Sequence, residues 1–378
     1  MNACEQAIEL TRKLVAFDTT NPPGNEQPCA VFLAQLLIDA GFAVTLHELS
    51  PGRASLVAYL GNGQGRPLCF TGHLDTVPLG KAPWSVDPFA GEIREGRLYG
   101  RGSSDMKAGV AAFISAALQE RTLIAQRAGV VLVLTASEET GCQGAAALVR
   151  DGVDQHHAGA IIVGEMTANY PLIGHKGALW LKLTARGKSA HGSMPEQGDN
   201  ALYKVGRALG KIEQYQVASP RHPVLGATSI SAGTLHAGSS INVVPDLAEL
   251  CVDIRSLPGT SHADARAALL DTLQPDIAQV DAVLDLPAVF TDFADPWIAT
   301  VYRLTEQETG VRPEPRGASY FTDACALQHA HPGVPIVILG PGTPHMAHQT
   351  DEYCEVARIE EAVRLYRRLI VDWCEEGT

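Results

Sequence analysis

Nowhere in its 378 residues does the chain approach the roughly 20 consecutive apolar positions that a membrane-crossing helix requires. Its first stretch, MNACEQAIELTRKLVAF, sets Glu5 and Glu9 where a secretory leader would be basic and then apolar. A soluble protein that stays in the cytoplasm, with no membrane partner, is the expectation. Basic residues are also scarce, 29 Lys and Arg against 42 Asp and Glu, for a formal charge of −13. That argues against a nucleic-acid partner, because binding polyphosphate depends on Lys and Arg displacing counterions. Cysteine pairing patterns are missing too. The eight cysteines (Cys4, Cys29, Cys69, Cys142, Cys251, Cys325, Cys354 and Cys374) are scattered with no C-x-x-C, so they read as reduced thiols, and neither a disulfide framework nor a cysteine zinc site is expected. No G-x-S-x-G elbow occurs, and no tandem repeat or low-complexity tract.

What is present is a chain with 46% hydrophobic residues, longer than the size at which a single core stops growing, so two domains are expected. The organising stretch runs from Leu68 to Lys107, LCFTGHLDTVP through GRGSSDMK. Leu68, Phe70 and Gly72 alternate with Cys69 and Thr71 in a short apolar run that reads as a buried strand ending at His73. Asp75, two residues on, shares a face with His73 if the segment is extended, so its carboxylate can hold the imidazole tautomer from behind. Asp105 follows a Gly-rich turn and precedes the helix predicted over AGVAAFISAALQE. Each residue also has a plainer reading: a lone His is more often a satisfied structural group, and Asp105 alone suits a helix N-cap.

The flanking chain reads as alternating helices and strands. Helices are predicted over 3–17 and over CAVFLAQLLIDAGF, then strands AVTLHEL and SLVAYLG, with Gly61, Gly63 and Gly65 as a hairpin turn into the organising stretch. VVLVLTAS, continuous and β-branched, suits a strand covered on both faces, and it leads to Glu138 and Glu139. AIIVGE ends in Glu165, and VPIVILG ends before His345 and His348. Several inner strands thus release metal-binding side chains from their carboxyl ends, the edge where open α/β sheets bind ligands. Between 175 and 286 the order changes to β-α-β-β-α-β, a ferredoxin-like unit. The expected fold is therefore α/β, a mixed, mostly parallel sheet in a catalytic domain (1–174 and 287–378) with a ferredoxin-like domain inserted at 175–286.

The acid-rich set suggests two ions. Asp105 can offer one oxygen to each, His73 with Glu165 completing one end and His348 with Glu139 the other. A His/carboxylate set without thiolate suits zinc, with cobalt or manganese at similar geometry. Two such ions about 4 Å apart polarise a carbonyl and bring the pKa of water from 15.7 to roughly 7. Amide hydrolysis also needs a base that takes the water's proton and passes it to the leaving nitrogen, and Glu138, beside Glu139, suits that role. On its own, the Glu138–Glu139 pair reads more readily as a solvated acidic turn.

Taken in order, GHLDTVP, GRGSSDMKAG, SEETG, GEMT with HKG, SAHGSMP, INVVPD with VDIR, and AHQTDEY resemble the M20 metallopeptidase family over nearly the whole chain. The branch they look most like is that of acetylornithine deacetylase and succinyl-diaminopimelate desuccinylase, enzymes of amino-acid biosynthesis. The resemblance implies the same two-ion set, with Asp75 orienting His73 and Glu138 as base. It implies that the inserted domain is a lid and a homodimer interface. His191 would donate to the tetrahedral oxyanion, in relatives often from the partner subunit, while Asn242 and Arg255 would hold a substrate carboxylate. Charge developing on the carbonyl oxygen, and the bidentate fit of Arg to carboxylate, give those roles physical sense. Read without the family, His191 is a surface loop histidine and Arg255 a member of a structural ion pair.

Two departures bear on substrate. GEMT stands where GEPT is usual, and HGSMPEQGDNA lacks the AYPH pattern of dedicated desuccinylases, which favours a deacetylase or a broader hydrolase of N-acyl L-amino acids. A desuccinylase, dipeptidase or carboxypeptidase is the alternative within the class. His348 is preferred to His345 as ligand because it alone sits in the A-H-x-x-D-E context. Outside the class, Ser104-Asp105-Met106-Lys107 satisfies S-x-x-K, but a serine mechanism would leave the strand-end acids without a purpose. A binding protein on a retired hydrolase fold would be expected to have lost a ligand or the base, and none is missing.

Overall fold

The computed structural model describes residues 2–153 and 155–376. In chain order the principal elements are α1 (Ala3–Val15), α2 (Gln27–Asp39), β1 (Ala43–Ser50), β2 (Arg53–Leu60), β3 (Leu68–His73), α3 (Ala108–Gln119), β4 (Val130–Thr135), α4 (Gln143–Arg150), β5 (Ala160–Val163), β6 (Gly177–Arg186), α5 (Ala201–Gln214), β7 (Ser229–Ala237), β8 (Leu247–Ser256), α6 (His262–Leu273), β9 (Gln279–Leu286), α7 (Pro296–Thr309), β10 (Ile336–Ile338) and α8 (Val356–Glu376). They divide into two compact units, Met1–Gly174 with Phe290–Ala318 and Thr322–Thr378, and His175–Val289 with Ser319–Phe321. Among the described residues no helix is long and apolar enough to cross a membrane, and all eight cysteines are free.

The first unit is built on a mixed, mostly parallel sheet in the order β1-β2-β4-β3-β5-β10. β3, β4, β5 and β10 run parallel, with Phe70 opposite Leu132, Thr71 opposite Val163 and Ile338 opposite Val163. β1 and β2 are antiparallel additions, β2 pairing Ala58 with Leu132. Every residue of β3, β4 and β5 is buried, the expected consequence of an unbroken apolar run, since a strand covered on both faces cannot alternate with polar residues. The hairpin expected at Gly61–Gly65 does not form between β2 and β3. β4 is interposed between them, and the glycine-containing segment carries the chain across that gap instead of turning it back on itself.

Helices cover this sheet. α3 packs on β3 and β4 and against both α1 and α8, while α2 and α4 lie on β1 and β2. Phe70 of β3, Phe113 of α3 and Tyr366 of α8 form an aromatic cluster with ring centroids 5.3–6.5 Å apart. The Tyr366 hydroxyl, which burial would leave without water, donates to the Leu339 carbonyl just beyond β10. Gly109 serves close approach. A Cβ there would collide with the Gly164 carbonyl, so only glycine lets α3 lie this close to the segment leading to Glu165.

The second unit is an antiparallel sheet in the order β7-β8-β6-β9, with α5 following β6 and α6 following β8, which is the connectivity of a ferredoxin-like unit. Burial alternates strictly along β8, and Leu250, Val252 and Ile254 meet Leu179, Leu181, Val205, Leu269 and Leu273 in the core. α5 starts at Asn200, whose side chain accepts from Leu202 N–H, and α6 at Ser261, whose hydroxyl oxygen accepts from Asp264 N–H. The unit runs to Val289 and takes in Ser319–Phe321, slightly more than the 175–286 span read from the sequence.

Candidate metal centre

Because β3, β4, β5 and β10 are parallel, their carboxyl ends lie along one edge of the sheet, and the segments leaving that edge carry the acids and histidines. β3 ends on His73 itself. β4 ends at Thr135, opposite His73, and the turn after it, with Ser137 at φ +64°, delivers Glu138 and Glu139. These two residues therefore stand on a turn past the strand, not on the strand itself. Glu165 stands two residues past β5. Asp105 is not on a regular helix: Gly102 at φ +83° opens an irregular turn, Ser103–Lys107, before α3 begins.

The five candidate ligands converge. Asp105 directs one oxygen to each of two histidines: Oδ1 is 3.1 Å from His73 Nε2, and Oδ2 is 3.3 Å from His348 Nε2. His73 Nε2 is also 3.6 Å from Glu165 Oε1, and His348 Nε2 is 3.2 Å from Glu139 Oε2. Donor atoms around a tetrahedral zinc with bonds of about 2.1 Å stand about 3.4 Å apart, so these separations fit two adjacent ions sharing Asp105. Two further observations favour cations here. Among the described residues, Glu139 Oε1 and Glu165 Oε2 are buried with no hydrogen-bond partner, and donor atoms of His73, Asp105 and Glu139 lie within 4.8 Å of one another. His345 lies apart on the exposed turn Pro344–Met346.

The electrostatics match a site built for positive charge. Burial, reinforced by Glu165 and Asp323 against the opposing charge of His73, raises Glu138 well above its ordinary value. Burial and the charge of Asp105 raise Glu165 likewise, and push Glu139 up to about 7. Burial would raise Asp105 too, but hydrogen bonds from His348 and His73 hold it below the usual carboxylate range. Hydrogen bonds to Asp105 and Glu139 in turn carry His348 up to about 10. For His73, burial opposes the shift, and the Asp105 bond with the charges of Glu165 and Glu138 overcomes it. Carboxylates crowded this closely hold protons wherever no cation compensates them.

Asp75 is closer to a hub than the sequence indicated. His73 Nδ1 is 2.9 Å from the Asp75 backbone carbonyl and 3.6 Å from its carboxylate, so the main chain, not the side chain, fixes the imidazole. The carboxylate accepts instead from Glu138 N–H (3.0 Å), Glu139 N–H (3.2 Å) and Asn21 Nδ2 (2.9 Å), which pins the turn carrying Glu138 and Glu139. Asn21, in the NPPG turn, and Asp323 were not singled out from sequence. Asp323 is buried, accepts from Thr135 Oγ1 and is pushed up to about 6 by burial. Only its place after the short FT segment, outside any apolar run, marked it. Ser104 is committed elsewhere: its hydroxyl donates to the Tyr353 carbonyl (2.6 Å) and accepts from Thr343 N–H (2.9 Å), while Lys107 Nζ donates to the Phe17 carbonyl (2.9 Å). The S-x-x-K pair has no nucleophile to spare.

The remaining candidates belong to the second unit. His191 is exposed, its Nδ1 2.7 Å from Ser193 Oγ, and its segment bridges to Val243, with Gly192 N–H donating to the Asn242 carbonyl at 2.7 Å. His191 and Asn242 are thus neighbours. Arg255 lies over the Phe321 ring and pairs with Asp253 at 3.0 Å, the structural ion pair that its position on β8 also allowed.

The model of peptidase family M20/M25/M40 matches residues 69–372. The chain belongs to this family. The M20 protein is 30% identical over 375 residues to acetylornithine deacetylase of Vibrio campbellii, covering 95% of each chain, and 31% identical over 385 residues to succinyl-diaminopimelate desuccinylase of Cereibacter sphaeroides, covering 97% and 98%. Its fold is similar to an M20 family metallo-carboxypeptidase from Sulfolobus solfataricus (TM-score 0.82, 16% identity, 97% and 98% covered). It is also similar to a dinuclear metal-binding M20 peptidase from Bacillus subtilis (TM-score 0.74, 16% identity, 99% of each). This M20 protein is a metal-dependent hydrolase acting on amide bonds.

Proposed function

We propose that the protein hydrolyses the amide bond of N-acyl L-amino acids, releasing a carboxylate and a free amine, with N-acetylated substrates of the acetylornithine type first among them. The carrying observation is Asp105, whose two oxygens face two separate His/Glu pairs at 3.1 and 3.3 Å. On this reading His73, Asp105 and Glu165 hold one divalent ion and Asp105, Glu139 and His348 the other, with zinc preferred and cobalt or manganese compatible with the same donors. When bound, the ions supply Lewis acidity to the scissile carbonyl and acidify the attacking water.

The chain's own residues do the rest. Glu138 takes the proton from the water and returns it to the leaving nitrogen, which requires it to be an anion at the start. Its high proton affinity in the cation-free site fits a base that the charge of bound ions brings into the working range. Asp75 keeps Glu138 and Glu139 at fixed separation through their amides. His191 donates to the oxyanion, and Asn242 and Arg255 recognise the amino acid carboxylate, Arg255 exchanging its Asp253 partner for substrate. A homodimer through the second unit is part of this reading. β7 is an edge strand exposed along nearly its whole length, and Leu235 on it, Ile241 beyond it and Tyr203 on α5 are apolar side chains open to solvent.

The relatives guide the choice of substrate: a deacetylase and a desuccinylase at similar identity point to an N-acylated amino acid of a biosynthetic route. The test is turnover of N-acetylornithine, N-succinyl-diaminopimelate and a dipeptide panel by protein loaded with zinc, cobalt or manganese. Preference for the acetylated substrate supports the proposal. Preference for dipeptides would replace it by a peptidase, and full activity after complete chelation would end the two-ion reading.

A further inference from the structure

Four residues beyond His348 stands Glu352, a carboxylate with 0% exposure. Its oxygens accept four hydrogen bonds. Oε1 takes the amides of Ser104 (2.8 Å) and Asp105 (3.0 Å), and Oε2 takes the amide of Gly102 (2.9 Å) and Arg101 Nη1 (2.6 Å). The Gly100 amide donates to the Glu352 backbone carbonyl at 2.8 Å. Arg101, 1% exposed, extends the cluster: it also donates to the carbonyls of Gln349 and Pro78, each at 3.2 Å, and lies over the Trp84 ring at 5.2 Å.

Three segments therefore meet on one buried ion pair: the stretch leaving His73, the turn carrying Asp105, and the loop carrying His348. The Asp105 turn is closed by a π-type bond, Lys107 N–H to the Gly102 carbonyl (2.8 Å), and its dihedral angles are irregular at Asp105 and Met106, so the Ser104 and Asp105 amides find their acceptor outside it, on Glu352. Resting on the two-ion reading above, we propose that Glu352, with Arg101 as counter-ion, is a positioning residue that sets the separation of Asp105 from His348 and thereby the affinity of the site for divalent metal. It touches neither ion nor substrate. It acts through the Asp105 main chain.

The chemistry requires a carboxylate. All four partners are donors, and an anion can accept on both oxygens. The isosteric amide of Gln accepts on one side only, and its NH2 must face either the Ser104 and Asp105 amides or the Gly102 amide and Arg101. Whichever way it turns, one N–H of the Asp105 turn or Arg101 meets another N–H instead of an acceptor, and the repulsion shifts Asp105 relative to the His348 loop and loosens their 3.3 Å contact. Residues that orient metal ligands in this way typically change metal affinity by about 10–100-fold when replaced.

The experiment is zinc titration of the full-length chelated protein by calorimetry, with zinc content and circular dichroism measured on the same samples. Wild type is expected to bind two zinc ions per chain, Glu352→Gln to bind them at least ~10-fold more weakly, and Glu352→Asp, which keeps the charge but shortens the reach, to fall between. Leu269→Ala, in the core of the second unit, serves as the control: it lowers the melting temperature with zinc affinity unchanged, which separates positioning from general loosening. Wild-type zinc affinity in both Glu352 variants overturns the proposal, as does a matching loss in Leu269→Ala. Should Glu352→Gln fail to fold, Glu352→Asp decides alone. A wild type that takes up no zinc, cobalt or manganese overturns the metal centre itself, whereas two ions bound with equal affinity in wild type and in both variants overturns only the positioning role.

Discussion

β4 and β8 are central strands of the two units, and they treat polar residues in opposite ways. β4 is buried at every position, so polar groups are expelled to its end, where Glu138 and Glu139 emerge beside His73. β8 buries alternate residues and carries Glu249, Asp253 and Arg255 on its open face. A sheet covered on both faces concentrates its chemistry at one edge, whereas a sheet covered on one face spreads polar groups along its length. Of the residues proposed for the reaction, His73, Glu138, Glu139 and Glu165 lie at or just past the ends of the first sheet's strands, and Arg255 lies on the open face of β8.

The harshest way to break this contrast is at the edge. Asp105→Ala should lose both ions and reduce turnover below detection; retention of two zincs by metal analysis would show that Asp105 bridges nothing. Glu138→Gln should lower kcat by about 10^2–10^4-fold with both ions still bound, and loss of the ions as well would recast Glu138 as a ligand. Next come the strands themselves. Leu132→Ala, at a position with 0% exposure in β4, should cost about 2–5 kcal/mol in denaturant unfolding, against less than about 0.5 kcal/mol for Glu249→Ala on the open face of β8. Similar losses at both would erase the distinction between the two sheets.

pH sharpens it further. Glu139 shifts from an ordinary 4.5 up to about 7, so between those values the folded, metal-free protein binds more protons than the unfolded chain and stability falls as pH rises. His348, shifted from 6.5 up to about 10, contributes stability that is full below 6.5 and lost on passing about 10, the same direction. The melting temperature of chelated protein should therefore decline from about pH 5 towards pH 9, while saturating zinc, which needs deprotonated ligands, should flatten or reverse the trend. A chelated protein that gains stability over this range would contradict the crowded-acid account. The smallest effect is expected at His345→Ala, with activity within about twofold of wild type.

Much of the site was legible because apolar runs mark strands and the residues just past them mark the edge: His73, Glu138, Glu139 and Glu165 were placed that way. His348, far down the chain, needed its motif context. The pairing of strands was not legible, since nothing local in Tyr59-Leu60 or Leu68-Cys69 says that Val130–Thr135 will lie between them. The supporting contacts were equally hidden. That the Asp75 carboxylate would bind the Glu138 and Glu139 amides, or Glu352 the amides of Gly102, Ser104 and Asp105, depends on main-chain groups, which every residue possesses and no side-chain pattern announces.

The interposed β4 also bears on how the chain is made. As it leaves the ribosome, β2 and β3 emerge long before the strand that will join them, and each must wait with its hydrogen-bonding edge open until Val130–Thr135 is synthesised. β10, which closes the other margin of the sheet, appears only after the whole second unit has been translated. A nascent chain stalled before residue 130 therefore leaves one edge of β2 and both edges of β3 unpaired, the kind of exposed edge on which chaperones act.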